Sequence, residues 1–195
     1  MGARVLMVGE GVLADFVYEK LSVQYQVVRQ IDFEEGIPEE TGLALVLHDA
    51  WHPSVHHKAE EALRSSGIPW LRGFVSFGEG VIGPLVRPNT PGCSQCADMR
   101  RLIAGYDRKE MWELQQVMAV QGGIQHDAWA SRIGLLQMAH LIVAETQRVL
   151  EGSHTRLEER LFLINLKTLK NSCHFFLPDP LCTVCSQLPD DSPAA

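Results

Sequence analysis

The N-terminal part of the chain alternates between short apolar runs and segments whose apolar residues recur at helical spacing. An apolar run over 4–8 leads into a glycine turn, and helical spacing then continues over 12–23. Two more strands are predicted at 25–32 and 43–47, followed by a helix that begins at Pro53. Continuous apolar runs are typical of strands that are covered on both faces. The pattern therefore predicts an α/β fold in which helices cover both faces of a sheet.

Glycine residues divide the pattern that follows into shorter pieces. The segment 68–74 predicts the next strand, and 74–77 and 81–86 predict two short strands on either side of Gly78 and Gly80. Because the link between these two strands is short and rich in glycine, we expect a hairpin rather than another helical crossover.

The C-terminal half is predicted to be helical first and extended later. The segment 97–120 predicts one helix or two, broken near Gly105, and 126–150 predicts a long helix with apolar residues at intervals of three and four. The alternating segments 161–166 and 173–177 predict two strands. We therefore expect the domain to close with a C-terminal antiparallel strand pair.

The composition limits the class of protein without indicating an activity. With 195 residues and 46% hydrophobic content, the chain is long enough for one sizeable core, and we predict a single domain over 1–188. The polar segment 189–195 is predicted to be a disordered tail or a linker to a further domain. A net charge of −7 without a basic run argues against nucleic acid or an anionic membrane as partner. Neither a signal peptide nor a membrane-spanning run is recognisable, so we expect a cytoplasmic protein.

Four of the five cysteines form two CxxC pairs, a spacing typical of a structural zinc site. Cys93 and Cys96 form the first pair, and Cys182 and Cys185 form the second. Because 85 residues separate the two pairs, a zinc ion is predicted to tie distant parts of one domain together. Redox-active pairs, or buried cysteines without a shared role, are the alternatives. Cys173 lies in an alternating segment and is interpreted as a small core residue rather than a fifth ligand.

The first glycine turn has the form of a dinucleotide-binding motif. Gly9-x-Gly11-x-x-Ala14 follows a predicted strand and opens a predicted helix, and Asp32 ends the second strand. Backbone N–H groups of such a turn can bind a phosphate at the helix N-terminus. Two observations favour the alternative that the glycines serve only the geometry of a tight turn. The motif is short, and Glu10 is an unfavourable neighbour for a phosphate.

Histidines and a carboxylate follow the third predicted strand. His52 and His56 lie four residues apart at the start of a predicted helix, with His48 and His57 nearby, and histidines at this spacing can hold a metal. Because no third ligand is assured, they are interpreted as exposed or partly buried residues of a surface helix. Asp49 lies at the carboxyl end of a strand, where open α/β sheets place functional residues. A helix cap or a loop carboxylate is the alternative for Asp49.

The long predicted helix over 126–150 has a broad apolar stripe, with Trp112 and Trp129 nearby in the sequence. We interpret the stripe as part of the core, with a homodimer interface as the alternative. The pair Arg100 and Arg101 is interpreted as a solvated face.

Two stretches of the chain resemble a known superfamily. One stretch resembles the strand, glycine-rich hairpin and first CxxC of the ThiF-like fold, which is found in ubiquitin-activating-type enzymes. Its sequence is IPWLRGFVSFGEGVIGPLVRPNTPGCSQC (68–96). The other stretch resembles the segment that leads to the second CxxC of that fold. Its sequence is FLPDPLCTVC (176–185). The resemblance implies a Rossmann-like, ThiF-type sheet flanked by helices, with a four-cysteine zinc site. Within the superfamily, the chain is most similar to the cyclodehydratase C or F components, or leader-peptide-binding proteins, of thiazole/oxazole-modified microcin (bacteriocin) biosynthesis.

The resemblance also implies a function in a peptide-modifying complex. In such systems a YcaO-type partner uses ATP to cyclise Cys, Ser or Thr side chains of a ribosomal precursor peptide, and the ThiF-like component delivers that peptide. Leader recognition there usually lies in a small winged-helix domain ahead of the ThiF-like part. Because this chain begins directly at its first predicted strand, we expect it to be a fragment of a longer protein or to rely on recognition elsewhere in the assembly.

The nucleotide-binding residues of the superfamily are matched only in part. Gly9 and Gly11 match its glycine turn, Asp32 matches its ribose-side acid, and Asp49 matches its magnesium-side acid. Adenylating members also carry a Ser-Asn-Leu-x-Arg-Gln-like segment and a later Lys between the second and third strands, where this chain has only 33–42. Without these cations the charge of a triphosphate would be unmet. We therefore expect a vestigial nucleotide site, no ATP as a cofactor, and a scaffold or adaptor without catalytic residues of its own.

Two other functions stay open at this point. The chain would be an active ATP-dependent adenylating enzyme of the ThiF type if the glycine turn and Asp49 still bind nucleotide. It would be an NAD(P)-binding Rossmann protein if the dinucleotide motif binds a nicotinamide cofactor. ATP binding is the property that separates the first of these from the scaffold.

Overall fold

The computed structural model describes residues 4–104 and 127–186, together with Lys109, Glu113 and Val117 between those ranges. The described residues form one sheet with helices on both of its faces. In chain order the elements are β1 (Arg4–Val8), α1 (Val12–Leu21), β2 (Val27–Gln30), β3 (Thr41–Leu47), α2 (Pro53–Ser65), β4 (Trp70–Ser76), β5 (Glu79–Val86), α3 (Ser94–Ala104), α4 (Arg132–Leu150), β6 (Arg160–Asn165) and β7 (Asn171–Phe175).

The strands lie in the order β2-β1-β3-β4-β5-β6-β7. The first four strands of this order pair in parallel, and β5, β6 and β7 each pair antiparallel with the preceding strand. This arrangement confirms the α/β fold, the hairpin and the C-terminal antiparallel strand pair. A separate strand over 74–77 was a wrong prediction, because β4 continues without interruption and pairs with β5 as far as Ser76 and Glu79.

The two faces of the sheet are covered by different helices. Alternate residues of a strand point to opposite faces, and on β4 Leu71 and Val75 join α1 and α4 in an aliphatic cluster. Trp70 and Phe74 point to the other side, where α2 and α3 pack. We call these two sides the α4 face and the α3 face. The α3 face also buries the fully enclosed Arg72, so its packing has a polar component.

Helix α4 begins later than its apolar pattern predicts. The described residues 127–131 form a turn, in which the N–H of Trp129 donates to the Asp127 carboxylate at 2.8 Å. The helix then begins after Ser131, whose hydroxyl accepts from the N–H of Gly134 at 3.1 Å and so acts as an N-cap. Of the apolar positions that predict its stripe, Ala139 and Ile142 are buried in the aliphatic cluster and Val143 packs against it, whereas Ile133 and Leu136 are exposed. The buried face is completed by Leu135 and Met138 instead.

Several predictions lie outside the described residues. They are the break near Gly105, the part of the helical segment between 105 and 120 other than the three described residues, Trp112, the start of the long helix at His126, and the segment 189–195. Among the described residues, no helix is both long enough and apolar enough to cross a membrane.

Candidate metal centre and glycine turn

The four cysteines of the two CxxC pairs come together as one buried cluster. Their Sγ atoms all lie within 4.8 Å of one another, and Cys93 lies 3.8 Å from Cys96 and 3.6 Å from Cys182. Cys96 lies 3.5 Å from Cys185. Four sulfurs at about 2.3 Å from a tetrahedral zinc ion would be about 3.8 Å apart. The cluster therefore has the dimensions of a four-thiolate metal site.

The protein environment changes the pKa values of the cluster thiols in different directions. Burial raises the pKa of the Cys93 thiol, and burial raises the pKa of Cys96 to about 12. Cys182 differs: burial opposes ionisation there too, but N–H groups of Val184 and Cys185 lower its pKa. A divalent metal ion deprotonates thiols that bind it and compensates their charge. The four cysteines could therefore hold a metal ion such as zinc.

Backbone groups from two separate loops orient the sulfurs. The N–H of Gly92 donates to Cys185 at 3.4 Å, and the N–H of Asp179 donates to Cys96 at 3.4 Å. Each donor precedes one CxxC pair and points at a sulfur of the other pair. Such outer contacts fix the orientation of metal ligands. The loop before α3 and the loop after β7 are thus held together around the sulfurs.

Helix α3 is joined to the rest of the α3 face by buried charges that sequence reasoning missed. Arg72 of β4 donates to both carboxylate oxygens of Asp98 at 2.8 and 2.7 Å and to the carbonyl oxygen of Gly83 at 2.9 Å. Glu60 of α2 accepts from the N–H and the hydroxyl of Ser94 at 3.0 and 2.7 Å, at the first residue of α3. The available signal was Arg72 itself, because an arginine inside an apolar strand needs a buried partner.

Cys173 is not part of the cluster, and the prediction that it is a core residue was wrong. It is exposed in β7, opposite Phe162 of β6. β7 lies at the end of the strand order, and every one of its residues is exposed. An alternating pattern indicates a strand, but it does not show whether either face of that strand is covered.

The structure brings three residues of the predicted nucleotide site together. Gly9 and Gly11 have φ values of 122° and 109°, a region that favours glycine. The Asp49 carboxylate accepts hydrogen bonds from the N–H groups of Val12 at 2.7 Å and Leu13 at 2.9 Å. These are N–H groups of the first turn of α1, where a phosphate would bind in a dinucleotide fold. The carboxylate therefore fills the anion position of the turn.

Asp32 is separate from this arrangement. It lies two residues beyond Gln30, whose carbonyl oxygen accepts from the N–H of Gly9 at 2.9 Å. The Asp32 side chain is exposed and accepts from the N–H of Glu34 at 2.9 Å, which makes a local turn. The second strand ends at Gln30 rather than at Asp32, and the hydrogen bond of Asp32 serves the following loop.

Two of the four histidines are buried, contrary to the prediction of exposed or partly buried side chains. His48 and His56 are 6% and 2% exposed. The rings of His48 and His52 lie 4.8 Å apart, and the ring of His56 lies 4.8 Å from that of Phe74. His56 is buried because α2 packs on the sheet through this side of the helix. Within the described residues, the histidines do not form a metal-ligand group.

Burial keeps these two histidines neutral. It lowers the pKa of His48 to about 4, with a smaller contribution from His52. Burial also lowers the pKa of His56 well below its ordinary value, and the nearby Arg72 acts in the same direction. Neither ring nitrogen of His56 has a hydrogen-bond partner among the described residues. The imidazoles are therefore uncharged packing groups between the glycine turn and the α3 face.

Comparison with known proteins gives matches of fold rather than of sequence. No family model matches the sequence, and neither does any curated protein. The heterocyclase TruD is 20% identical over 95% of this chain and 28% of its own, with a TM-score of 0.66. The E. coli microcin synthetase McbBCD complex contains a chain that is 18% identical over 93% of this chain and 67% of its own, with a TM-score of 0.71. The microcin C7 biosynthetic enzyme MccB, in complex with N-formylated MccA, is 14% identical over 94% of this chain and 67% of its own, with a TM-score of 0.67.

These similarities establish the fold. They confirm the predicted resemblance to the ThiF-like fold, since proteins of heterocycle and microcin synthesis share the architecture over more than nine-tenths of the chain. The chain spans 26% and 28% of the lengths of the two heterocyclase chains. What those longer proteins do therefore bears on this chain only as a hypothesis.

Proposed function

We propose that this protein is a non-adenylating ThiF-like scaffold or adaptor of an azole- or azoline-forming complex. In this role it helps to present a ribosomal precursor peptide to a YcaO-type cyclodehydratase partner, and it carries no catalytic residue. The observation on which the proposal depends most is the position of the Asp49 carboxylate, 2.7 and 2.9 Å from two N–H groups at the start of α1.

The Asp49 contact argues against nucleotide binding because it replaces the phosphate. A helix N-terminus attracts one anion through its free N–H groups and its dipole. With the carboxylate already bound there, a phosphate would have to displace it and leave a buried charge without partners, which costs several kcal/mol. Asp49 is only 5% exposed, so water cannot easily take over its hydrogen bonds.

The charges near the turn add to this argument. The link 33–42, where adenylating members carry ATP-contacting cations, contains four glutamates and no lysine or arginine. The Arg29 guanidinium on β2 lies 2.7 Å from the Asp15 carboxylate. A triphosphate bound here would therefore meet negative charge from the loop.

In this proposal the cysteine cluster holds a structural zinc ion. Cys93, Cys96, Cys182 and Cys185 would be its four ligands, which leaves no open position for substrate. Zinc supplies a cross-link of the chain at this place. The cysteines themselves join the loop before α3 to the loop after β7. The two loops are therefore held together at the edge of the α3 face.

The role in a peptide-modifying assembly is supported by the solved structures of similar fold. One is a microcin synthetase complex and another is MccB bound to the peptide MccA. A chain that shares this fold and has its anion site occupied by its own carboxylate suits an adaptor better than an adenylating enzyme. The YcaO-type partner and the precursor peptide are inferred from the resemblance of 68–96 and 176–185 to the cyclodehydratase components.

Co-expression of the full-length gene product with a YcaO-type protein and a precursor peptide encoded near its gene tests the proposal. We expect a stable complex on affinity purification, and no ATP–pyrophosphate exchange by this protein in the presence of the peptide. Failure to associate with either partner would overturn the adaptor role. Exchange that is abolished by Asp49→Ala would instead establish an adenylating enzyme.

A further inference from the structure

A cavity of about 970 Å³ lies on the α3 face, next to the cysteine cluster. Its walls are formed by the end of β4, the second half of α3 and the strands β6 and β7. Trp51, Leu161, Leu163 and Phe176 contribute apolar surface, and three of these also pack in the core around the cysteines. Ligand pockets commonly have volumes of about 300–1,000 Å³ and largely apolar walls. The cavity is therefore large enough for a small organic ligand or a short peptide segment.

Arg101 places a positive charge in this wall. The prediction of a solvated face was wrong for this residue, because its guanidinium lies 5.8 Å from the ring centre of Trp51 and 5.7 Å from that of Phe74. The ion pair of Arg101 with Glu79 is 3.8 Å long, whereas Arg72 holds Asp98 at 2.7 Å. Among the described residues, Arg101 thus has aromatic contacts and one loose ion pair.

Two residues with neutral hydrogen-bond donors lie in the same wall. Trp51 and Ser76 line the cavity and are 2% and 3% exposed. The Trp51 Nε1 and the Ser76 Oγ have no hydrogen-bond partner in the described part of the chain. Buried polar groups are ordinarily paired, and those left without a partner frequently mark a ligand site. An indole N–H and a hydroxyl both donate to anionic oxygen atoms.

The balance of charge selects the kind of anion. Arg72, Arg100 and Arg101 bring three positive charges to this region, and Glu79 and Asp98 bring two negative charges. One positive charge is left over, which suits a monoanion better than a doubly charged phosphate. The apolar walls suit a hydrocarbon or aromatic body beside that anion.

We propose that this cavity binds a carboxylate attached to an apolar group, and that Arg101 is the residue that binds the carboxylate. Trp51 and Ser76 add two unpaired donors that are buried in this wall, and the apolar walls hold the rest of the ligand. The inference goes beyond the adaptor function, because it requires neither a YcaO-type protein nor a precursor peptide. It rests on the contacts of the α3 face alone.

Isothermal titration of the full chain with N-acetyl-L-phenylalanine tests the site directly. We expect the acid to bind with a dissociation constant in the millimolar range or below, and the neutral N-acetyl-L-phenylalaninamide to bind at least about tenfold more weakly. Arg101→Gln should weaken binding of the acid at least about tenfold, and Arg101→Lys should weaken it less because the charge is kept. Equal affinity for the acid and the amide, or no binding of either, would overturn the proposal.

Matched variants separate loss of the site from loss of the fold. Arg87 pairs with Glu158 at 2.7 Å and does not line the cavity, so Arg87→Gln should leave the affinity unchanged. If Arg101→Gln does not fold, Arg101→Lys and Ser76→Ala give the same test, and unchanged affinity in both would contradict the site. A tetrapeptide that ends in phenylalanine, with a free or an amidated C-terminus, distinguishes a peptide ligand from a small free acid. Because the titration uses this chain alone, its result is independent of whether a complex with a YcaO-type protein forms.

Discussion

The glycine turn and the cysteine cluster are both polar sites, and they differ in whether the chain itself supplies the partner of their polar groups. At the turn, the N–H groups of Val12 and Leu13 already have the Asp49 carboxylate as their partner. At the cluster, four buried thiols lie within 4.8 Å of one another, and burial raises the pKa of Cys93 and Cys96. The hydrogen-bond donors of the turn therefore have a partner within the chain, whereas Cys93 and Cys96 stay neutral until a bound metal ion displaces their protons.

The glycines of the turn have a structural reason that does not depend on a ligand. A side chain at Gly9 would collide with the carbonyl oxygen of Leu47, and one at Gly11 would begin 2.7 Å from the Asp49 carboxylate. The glycines are thus required by the turn itself. The four buried sulfurs instead have the spacing of ligands that a metal ion would hold.

The largest effect is expected when the cysteine cluster is broken. Cys182→Ser should abolish stoichiometric zinc binding. It should also lower the free energy of unfolding by several kcal/mol, since binding of a structural zinc ion contributes about 10 kcal/mol or more to folding. Metal analysis of the purified variant and its thermal unfolding curve measure the two effects.

Cys173→Ser is the matched control for that experiment. Cys173 is exposed on β7 and lies outside the cluster, so its replacement should leave metal content and melting temperature unchanged. Full metal content and unchanged melting in Cys182→Ser would show that the cluster does not hold the loops of the α3 face together.

Local sequence signals were sufficient to predict the glycine turn and the two CxxC pairs. β1, the turn at Gly9 and the first residues of α1 follow one another in the chain, so their pattern is read directly. The CxxC pairs are also local, and only their meeting across 85 residues depends on the fold. The separate strand over 74–77 was predicted because Gly73 was taken as the end of a strand, whereas Gly73 lies inside β4 and pairs with Ile82 of β5.

The second largest effect is expected at the glycine turn. Asp49→Ala removes the charged acceptor of two buried N–H groups, and we expect a loss of about 1–3 kcal/mol in the free energy of unfolding. Asp49→Asn keeps one acceptor oxygen and should recover part of this loss. Chemical denaturation of both variants measures it. A melting curve of Asp49→Ala equal to that of the original chain would mean that the carboxylate does not complete the turn.

The features that sequence reasoning missed are those that depend on which side of an element is covered. His56 and Arg101 were read as surface residues, yet α2 turns His56 towards Phe74, and Arg101 lies against two aromatic rings. Helical spacing alone does not show that a polar side chain will meet a sheet. Arg72 inside an apolar strand was the one local signal of a buried polar face.

A smaller effect is expected from the neutral histidines that lie between the two sites. His48 and His56 have lowered pKa values when folded, so in acid the unfolded chain binds protons that the folded chain does not. For His48 this stability is present above pH 6.5 and is lost as the pH falls towards about 4, and His56 acts in the same direction. Each histidine contributes at most about 1.4 kcal/mol per pH unit. His56→Phe should remove one such contribution between pH 6.5 and 5.5. The exposed His57, replaced by Gln, serves as the control, and equal pH dependence of both variants would contradict the assignment.

The smallest effect is expected at Asp32, and it gives the sharpest test of the glycine turn. Asp32 is exposed and accepts only from the nearby N–H of Glu34 in the described structure, so Asp32→Ala should change the free energy of unfolding by no more than about 0.5 kcal/mol. If the turn bound a nucleotide, Asp32 would bind the ribose, and the Asp32→Ala substitution would weaken nucleotide binding. Because Asp49 already fills the anion position of the turn, titration with ATP should show no binding by the original chain or by the variant. ATP affinity that is measurable and falls in Asp32→Ala would mean that the turn still binds nucleotide, and that its internal carboxylate gives way to phosphate.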